Sequence, residues 1–384
     1  MRCPISNRSS SVDARASTAP AYARPVRTAA LVALALTLLS CGDPYSGRSG
    51  SVIDAHVTRV LDTSARPVPG SEPQLLQRVE VELDGSLYRG DRVEVGWGGR
   101  SPINANGLLR DGDRVLVSAR RADDGGRLYA IEEIVRLPSL LPLGALLAVA
   151  LLVVARLKGL ASLAGLVASV AVFLFVVVPE IQIGADPIVA TVLGTAGVLA
   201  IAVYVVHGFN RKSTAALVGT AVGLVVVTLV ASVALGAARI TGLGSEEAVF
   251  LAVGTRFRVD MPRLVLAGVM VASLGALVDM AVGQASTTFE LARIDPDLRG
   301  RALYASALNV GRDHIGSLVN TLALAYLGGA LPLVVLLSLG NAPIIVAANG
   351  ETIVTSVLAV IVASVGLVAC VPVTTAVAVA FVRD

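Results

Sequence analysis

Apolar and polar residues alternate along residues 44–137, in stretches such as "SVIDAHVTRV", "QRVEVELDG", "LYRGDRVEVGW", "DGDRVLVSAR" and "LYAIEEIVR". Period-two alternation broken by Gly, Asp, Asn and Pro predicts about five short β-strands. Such strands in so short a segment predict a small all-β domain, either an OB-like barrel or a compact sandwich. The pattern changes at residue 139, where long uninterrupted apolar runs begin. Transmembrane helices are expected near 139–157, 160–179, 187–207, 213–237, 263–285, 316–339 and 353–382. Each run can cross a hydrocarbon core of about 30 Å. Pro372 removes a helix hydrogen bond and marks a place for a kink in the last run. Residues 239–262 are too polar to span; "EEAVFLAVG" within them predicts a short interfacial helix or a dip into the membrane.

The fold class expected is therefore an α-helical polytopic membrane protein of about seven spans with a small extracytoplasmic all-β domain. Its divisions fall at 1–43, 44–137 and 138–384. Residues 1–27 are polar, rich in Ser and Arg, and read as disordered. Residues 28–40, "TAALVALALTLLS", follow Arg24 and Arg27 and are short for a span, which fits the apolar core of a signal. Three readings stay open: an uncleaved short anchor, a cleaved signal, or a lipoprotein signal that makes Cys41 a lipidation candidate. All three send the next segment out of the cytoplasm. Loop charges agree: nine Lys or Arg residues fall on the expected inner side and four on the outer. The positive-inside rule thus places the β domain outside and the C-terminus in the cytoplasm; two lysines against 29 arginines, with much Ala, Val and Gly, suggest a bacterial cell membrane.

Composition sharpens the class. Mean hydropathy is +0.76, 55% of residues are hydrophobic and only 15% are charged, against about 25% in soluble domains. A soluble fold of this length could not hide that much apolar surface, and a net charge of +3 gives no ground for nucleic-acid binding. Cys3, Cys41 and Cys370 are far apart, as are His56, His207 and His314, so no disulfide, metal site or cofactor is expected. No GxxxxGK[ST] or HExxH motif occurs, and the spans hold no second deep acid for aspartyl cleavage, so no enzyme is expected.

The candidate chemistry lies in "GALVDMAVGQASTTFE", residues 275–290. On a helix, Gly275, Asp279, Gly283, Ser286 and Glu290 share one face, with Leu277, Val278, Ala281 and Val282 opposite. An acid at membrane depth costs about 3 kcal/mol by insertion scales and should face protein or water with a partner. "NVGRDHIGSLVNT", residues 309–321, makes a second polar stripe from Asn309, Arg312, Asp313, Gly316, Ser317 and Asn320. Asp279 is expected to meet Ser317, Asn320 or Thr321, and Glu290 to meet Arg312. These residues form a candidate proton or polar pathway, because low dielectric favours the protonated form of a carboxyl group. His207, Asn210, Arg211 and Lys212 form a candidate cytoplasmic cluster, with phospholipid headgroups as the plainer partner for Arg211 and Lys212. Gly219 and Gly223 make a GxxxG packing face, which also suits pairing into a homo-oligomer.

Five stretches carry a resemblance: "HGFNRKSTAALVGT" (207–220), "ITGLGSEEA" (240–248), "GALVDMAVGQASTTFEL" (275–291), "GRDHIGSLVNTLALAYLGGALPL" (311–333) and "VGLVACVPVTTAVA" (365–378). Through them the chain resembles the YibE/F family of bacterial multi-spanning membrane proteins. The resemblance implies an extracytoplasmic N-terminal region followed by about seven spans, and it supplies no reaction; the first apolar run is shorter than the family pattern implies. A smaller likeness, an Asp in one helix and an Asn-Thr entering the next, is similar to the hairpin of SecD/SecF and RND-type proton-driven proteins. The expected function is a secondary transporter or permease, proton-coupled, for a small molecule or ion. The alternative is a non-transporting scaffold or sensor whose β domain binds a partner.

Overall fold

The computed structural model describes residues 52–68, 73–85, 90–99, 102–121, 126–340 and 343–383. Cys41 and the 28–40 run, which carry the lipidation and signal expectations, lie outside the described residues. The chain divides into two compact units at Val153/Val154.

The first unit contains β1 (Val52–Arg66), β2 (Gln74–Leu83), β3 (Arg92–Trp97), β4 (Arg114–Arg121) and β5 (Arg127–Ile134). The sheet order is β3-β2-β1-β4-β5, with antiparallel neighbours throughout. Alternation puts Ile53, Ala55, Val57, Val79, Val81, Leu83, Val115 and Val117 on one face, where they are buried together. That face is the reason these segments are strands: a one-residue slip would turn the whole valine set to water. β1 is long and carries irregularities at Val57/Arg59 and Val60/Asp62, which bend it so that it can pair with both β2 and β4. β3 and β5, at the two ends of the order, come back beside each other. The result is a curled, partly open barrel, the first of the two expected architectures. Gln77 is buried within it; its side chain accepts from the Leu109 amide at 2.8 Å and donates to the Leu109 carbonyl at 3.2 Å.

The helices are α1 (Leu137–Arg156), α2 (Lys158–Gln182), α3 (Pro187–Tyr204), α4 (Arg211–Ala237), α5 (Glu246–Gly254), α6 (Met261–Ile294), α7 (Gly300–Gly329), α8 (Leu331–Leu339), α9 (Ile344–Ala348) and α10 (Glu351–Arg383). Arg156, at φ 55, breaks the run between α1 and α2. Six helices are long and apolar enough to cross a membrane, and α7 with α8 makes a seventh if the pair is one broken span. The sequence predicts one span there, near 316–339. Within it α7 and α8 meet at a 60° bend. Pro332 has no amide hydrogen to continue the ladder, and its ring opposes the carbonyl of Gly328.

In the second unit α4, α6 and α10 pack as a trio, with Leu277, Met280, Ala281, Leu367, Cys370 and Val371 at the centre. Glycines set the spacing. A Cβ on Gly219 would lie 1.7 Å from Thr374 Oγ1, one on Gly223 2.8 Å from Leu277 Cδ2, and one on Gly366 2.4 Å from Val227 Cγ2. Apolar burial gives little net drive between helices in lipid, so this close backbone approach supplies dispersion contacts in its place. α7 lies against α10 and α6, and α3 against α6.

Candidate functional site

The stripe Gly275, Asp279, Gly283, Ser286 and Glu290 does share one face of α6, but that face is the open one. Leu277, Met280, Ala281, Gln284 and Thr288 point into the trio instead. Asp279 is exposed and forms no hydrogen bond or ion pair among the described residues. The expected pairing of Asp279 with Ser317, Asn320 or Thr321 is therefore absent within the chain. The cause is how α7 packs: it turns Leu303, Ala307 and Gly311 inward, so its polar stripe faces away from the trio. Asn309, Arg312, Asp313, Gly316, Ser317 and Asn320 are all exposed.

The second expected pair is also absent. Glu290 takes Arg293, three residues along its own helix, with Nε to Oε2 at 3.0 Å. Arg312 donates to Asn309 Oδ1 at 3.0 Å, likewise one turn away. Neighbours at i,i+3 meet without any tertiary requirement, and they win once the two stripes diverge. The two helices do meet beside the stripe: a Cβ on Gly283 would lie 3.6 Å from His314 Cε1. An acid left in lipid near the middle of a spanning helix costs about 3 kcal/mol on insertion scales.

The 207–212 cluster is structural in its contacts, local at Asn210 and long-range at Arg211. Asn210 caps α4 through Oδ1 to the Ser213 amide at 2.8 Å, and its own amide donates to the His207 carbonyl at 2.9 Å. Arg211 Nη1 donates to the Phe381 carbonyl at 3.1 Å, covering an orphan acceptor at the end of α10. Lys212 exerts a Coulombic pull on Glu290. His207 is exposed overall, but neighbours desolvate part of its ring, and this, with Lys212 and Lys158 nearby, holds its pKa below the usual imidazole value despite backbone hydrogen bonds that oppose the shift.

Three groups escaped the reading of the sequence. Gln284 is buried and its amide donates to Thr375 Oγ1 at 2.8 Å and to the Ala307 carbonyl at 2.9 Å, joining α6, α10 and α7. Glu351, at the start of α10, accepts from Thr241 Oγ1 at 2.7 Å and from the Gly242 amide at 2.6 Å, and so fixes the "ITGLG" turn. There Gly242 has φ +75, and a Cβ would lie 2.5 Å from the Met261 carbonyl carbon. Asp186 caps α3 and pairs with Arg263 at the start of α6. The available signal was polarity out of place: a Gln and paired threonines inside apolar runs imply partners at the same depth. Among the described residues no group of His, Cys, Asp and Glu has the arrangement of a metal site.

The YibE/F-like protein family matches residues 143–384, all of α2 to α10 and most of α1. The chain belongs to the YibE/F-like family. In this YibE/F-like chain the β domain precedes the matched region, while Asp279, Gln284, His314 and Glu351 lie inside it. No curated protein and no solved structure matches the chain. Membership of the YibE/F-like family together with six or seven apolar helices makes this a transmembrane protein.

Proposed function

We propose that this YibE/F-like chain is a secondary transporter or permease of the bacterial cell membrane rather than an enzyme, coupled to protons and acting on a small molecule or ion. The observation that carries this reading is the Asp279 carboxylate, unpaired among the described residues and set in a helix long enough to span. A titratable group that is costly at depth and held by no salt bridge can take up and release a proton as its surroundings alternate. His314 beside Gly283 and the Glu290–Arg293 pair continue the polar strip toward one end of α6. Loop charge supports a cytoplasmic side for that end and an outer side for the β domain.

A pH jump applied to reconstituted protein on a solid-supported membrane tests the carrier role without a known substrate. The wild type should give a transient proton-binding current, and Asp279→Asn should abolish it while inserting normally. A current of equal size in the variant would remove Asp279 from the role.

The second reading, a scaffold or sensor, is favoured by a cleft in the β domain lined by Arg78, Trp97, Gly98, Ala130 and Glu133. Capture of a specific partner by the 44–137 fragment, lost with Arg78→Glu, would support it; no capture would count against it.

A further inference from the structure

Glycines in the described spans divide into two sets. Gly219, Gly223 and Gly366 are filled by neighbours within the chain. Gly268, Gly275 and Gly316, like Gly197 and Gly236, have nothing within 4 Å of an added Cβ. Gly268, Ala272, Gly275 and Asp279 fall at steps of four, three and four on α6, and all are exposed. The open helix face thus has a groove for close approach and, at one end of it, an unpaired acid.

The antiparallel contacts of Gly283 with His314 and of Gln284 with Gly311 set the register of α6 against α7. They put Asp279 level with Ser317 and within a turn of Asn320. The Ser317 hydroxyl and the Asn320 amide have no hydrogen-bond partner among the described residues. Acceptor and donors therefore lie at one depth on one face, yet unjoined in the chain. A two-fold axis along the membrane normal brings groups of equal depth in two copies opposite each other. On such an axis Arg312 of one copy, exchanging its bond to Asn309, can pair with Asp313 of the partner subunit, since the two are adjacent in depth and opposite in charge.

We propose that a second copy of this chain docks on this face. Gly268, Ala272 and Gly275 form the close contact, and each Asp279 accepts hydrogen bonds from Ser317 and Asn320 of the partner subunit. A different membrane protein could offer apolar surface, but self-pairing supplies matching donors and charges from the face itself. The proposal stands on packing and hydrogen bonding and does not rest on proton coupling, so cross-linking and the pH-jump current can fail independently.

The test is oxidative cross-linking of full-length protein in native membranes. Gly268→Cys and Gly275→Cys add side chains where there is open space, so folding is not at risk. Both should give a disulfide-linked band at twice the 39.2 kDa chain mass. Val233→Cys, on the exposed side of α4, and the wild-type chain set the background. Adding Ser317→Ala and Asn320→Ala to Gly275→Cys should cut the cross-linked fraction about five-fold, as loss of interhelical hydrogen bonds in a membrane would. Cross-linking at 268 and 275 no higher than at 233 overturns the proposal, and so does a band whose mass shows a different protein as partner.

Discussion

The buried side-chain amide of Gln284 donates to the hydroxyl of Thr375 at 2.8 Å and to the carbonyl of Ala307 at 2.9 Å. One residue thereby joins three helices at the centre of the membrane unit. Thr375 also donates to Val371 O within its own helix, so removal of Gln284 leaves no orphaned donor there. Gln284→Leu keeps the volume and deletes both interhelical bonds. Interhelical hydrogen bonds in membranes average about 0.6 kcal/mol, so the loss should be about 1 kcal/mol. It is read as a lower midpoint of thermal unfolding in detergent, and an unchanged midpoint would show that packing alone holds the three helices.

The contact between Gly219 and Thr374 leaves no room for even a methyl group. A Cβ at 219 would meet Thr374 Oγ1 at 1.7 Å, Cβ at 2.9 Å and Cα at 3.2 Å. Rotation of the threonine relieves only the first contact, because Cβ and Cα stay where the backbone puts them, so α4 and α10 must separate. Gly219→Ala should cost about 1–3 kcal/mol, the usual penalty of overpacking. Thr374→Ala should restore part of that loss in the double variant, giving a coupling energy in a double-mutant cycle. Additive losses would mean the two helices already move apart freely.

Much of the architecture was legible in the sequence because its signals are periodic. The alternating valines of 79–83 and 115–117 needed only a buried face to become strands, and the apolar runs from residue 139 needed only length to become helices. Gly219 and Gly223 were readable as a packing face for the same local reason. The stripe containing Asp279 was also correct as a stripe. Its direction was not, because periodicity states which residues share a face and says nothing of which neighbour covers it. Asp279 and Ser317 point away from the trio since Gln284 and Gly311 claim the contact between α6 and α7. Glu351 was hidden by distance: its partners Thr241 and Gly242 lie about a hundred positions earlier, with 110 and 109 residues between. The break at Ala330 was signalled by Gly328, Gly329 and Pro332, but the flanking apolar residues masked it.

Glu351 is the clasp of the 241–244 turn. Its two oxygens hold Thr241 and Gly242, and Thr352 donates to the Gly244 carbonyl at 2.6 Å. Glu351→Ala removes two acceptors from a turn whose Gly242 is already in the left-handed region. Hydrogen bonds to charged groups contribute about 1.5–3 kcal/mol each. Amide exchange at 241–244 should therefore accelerate by at least about tenfold in the variant, while exchange in the centre of α4 stays as in wild type. Equal exchange in both proteins would show the turn to be held by Met261 and Gly242 packing instead.

His207 makes stability depend on pH in a definite direction. Partial desolvation and the nearby lysines hold its pKa below the ordinary imidazole value, so the folded state favours the neutral ring. The unfolded chain then binds more protons than the folded one between the two values, and stability rises with pH across that window. Above the unfolded pKa the contribution is complete; it is lost as pH falls through the folded value, because folding must then hold a ring that is charged when free. Thermal midpoints of wild type and His207→Gln, compared from pH 7.5 down to 5, check this. The wild type should lose more of its midpoint than the variant over the acid half of that range. The gap should survive moderate salt, since burial is the largest cause and is not screened as the Lys212 and Lys158 repulsions are. Parallel curves for the two proteins would mean that the His207 ring is equally solvated in both states, and that Asn210 caps α4 without any help from the covering of that ring.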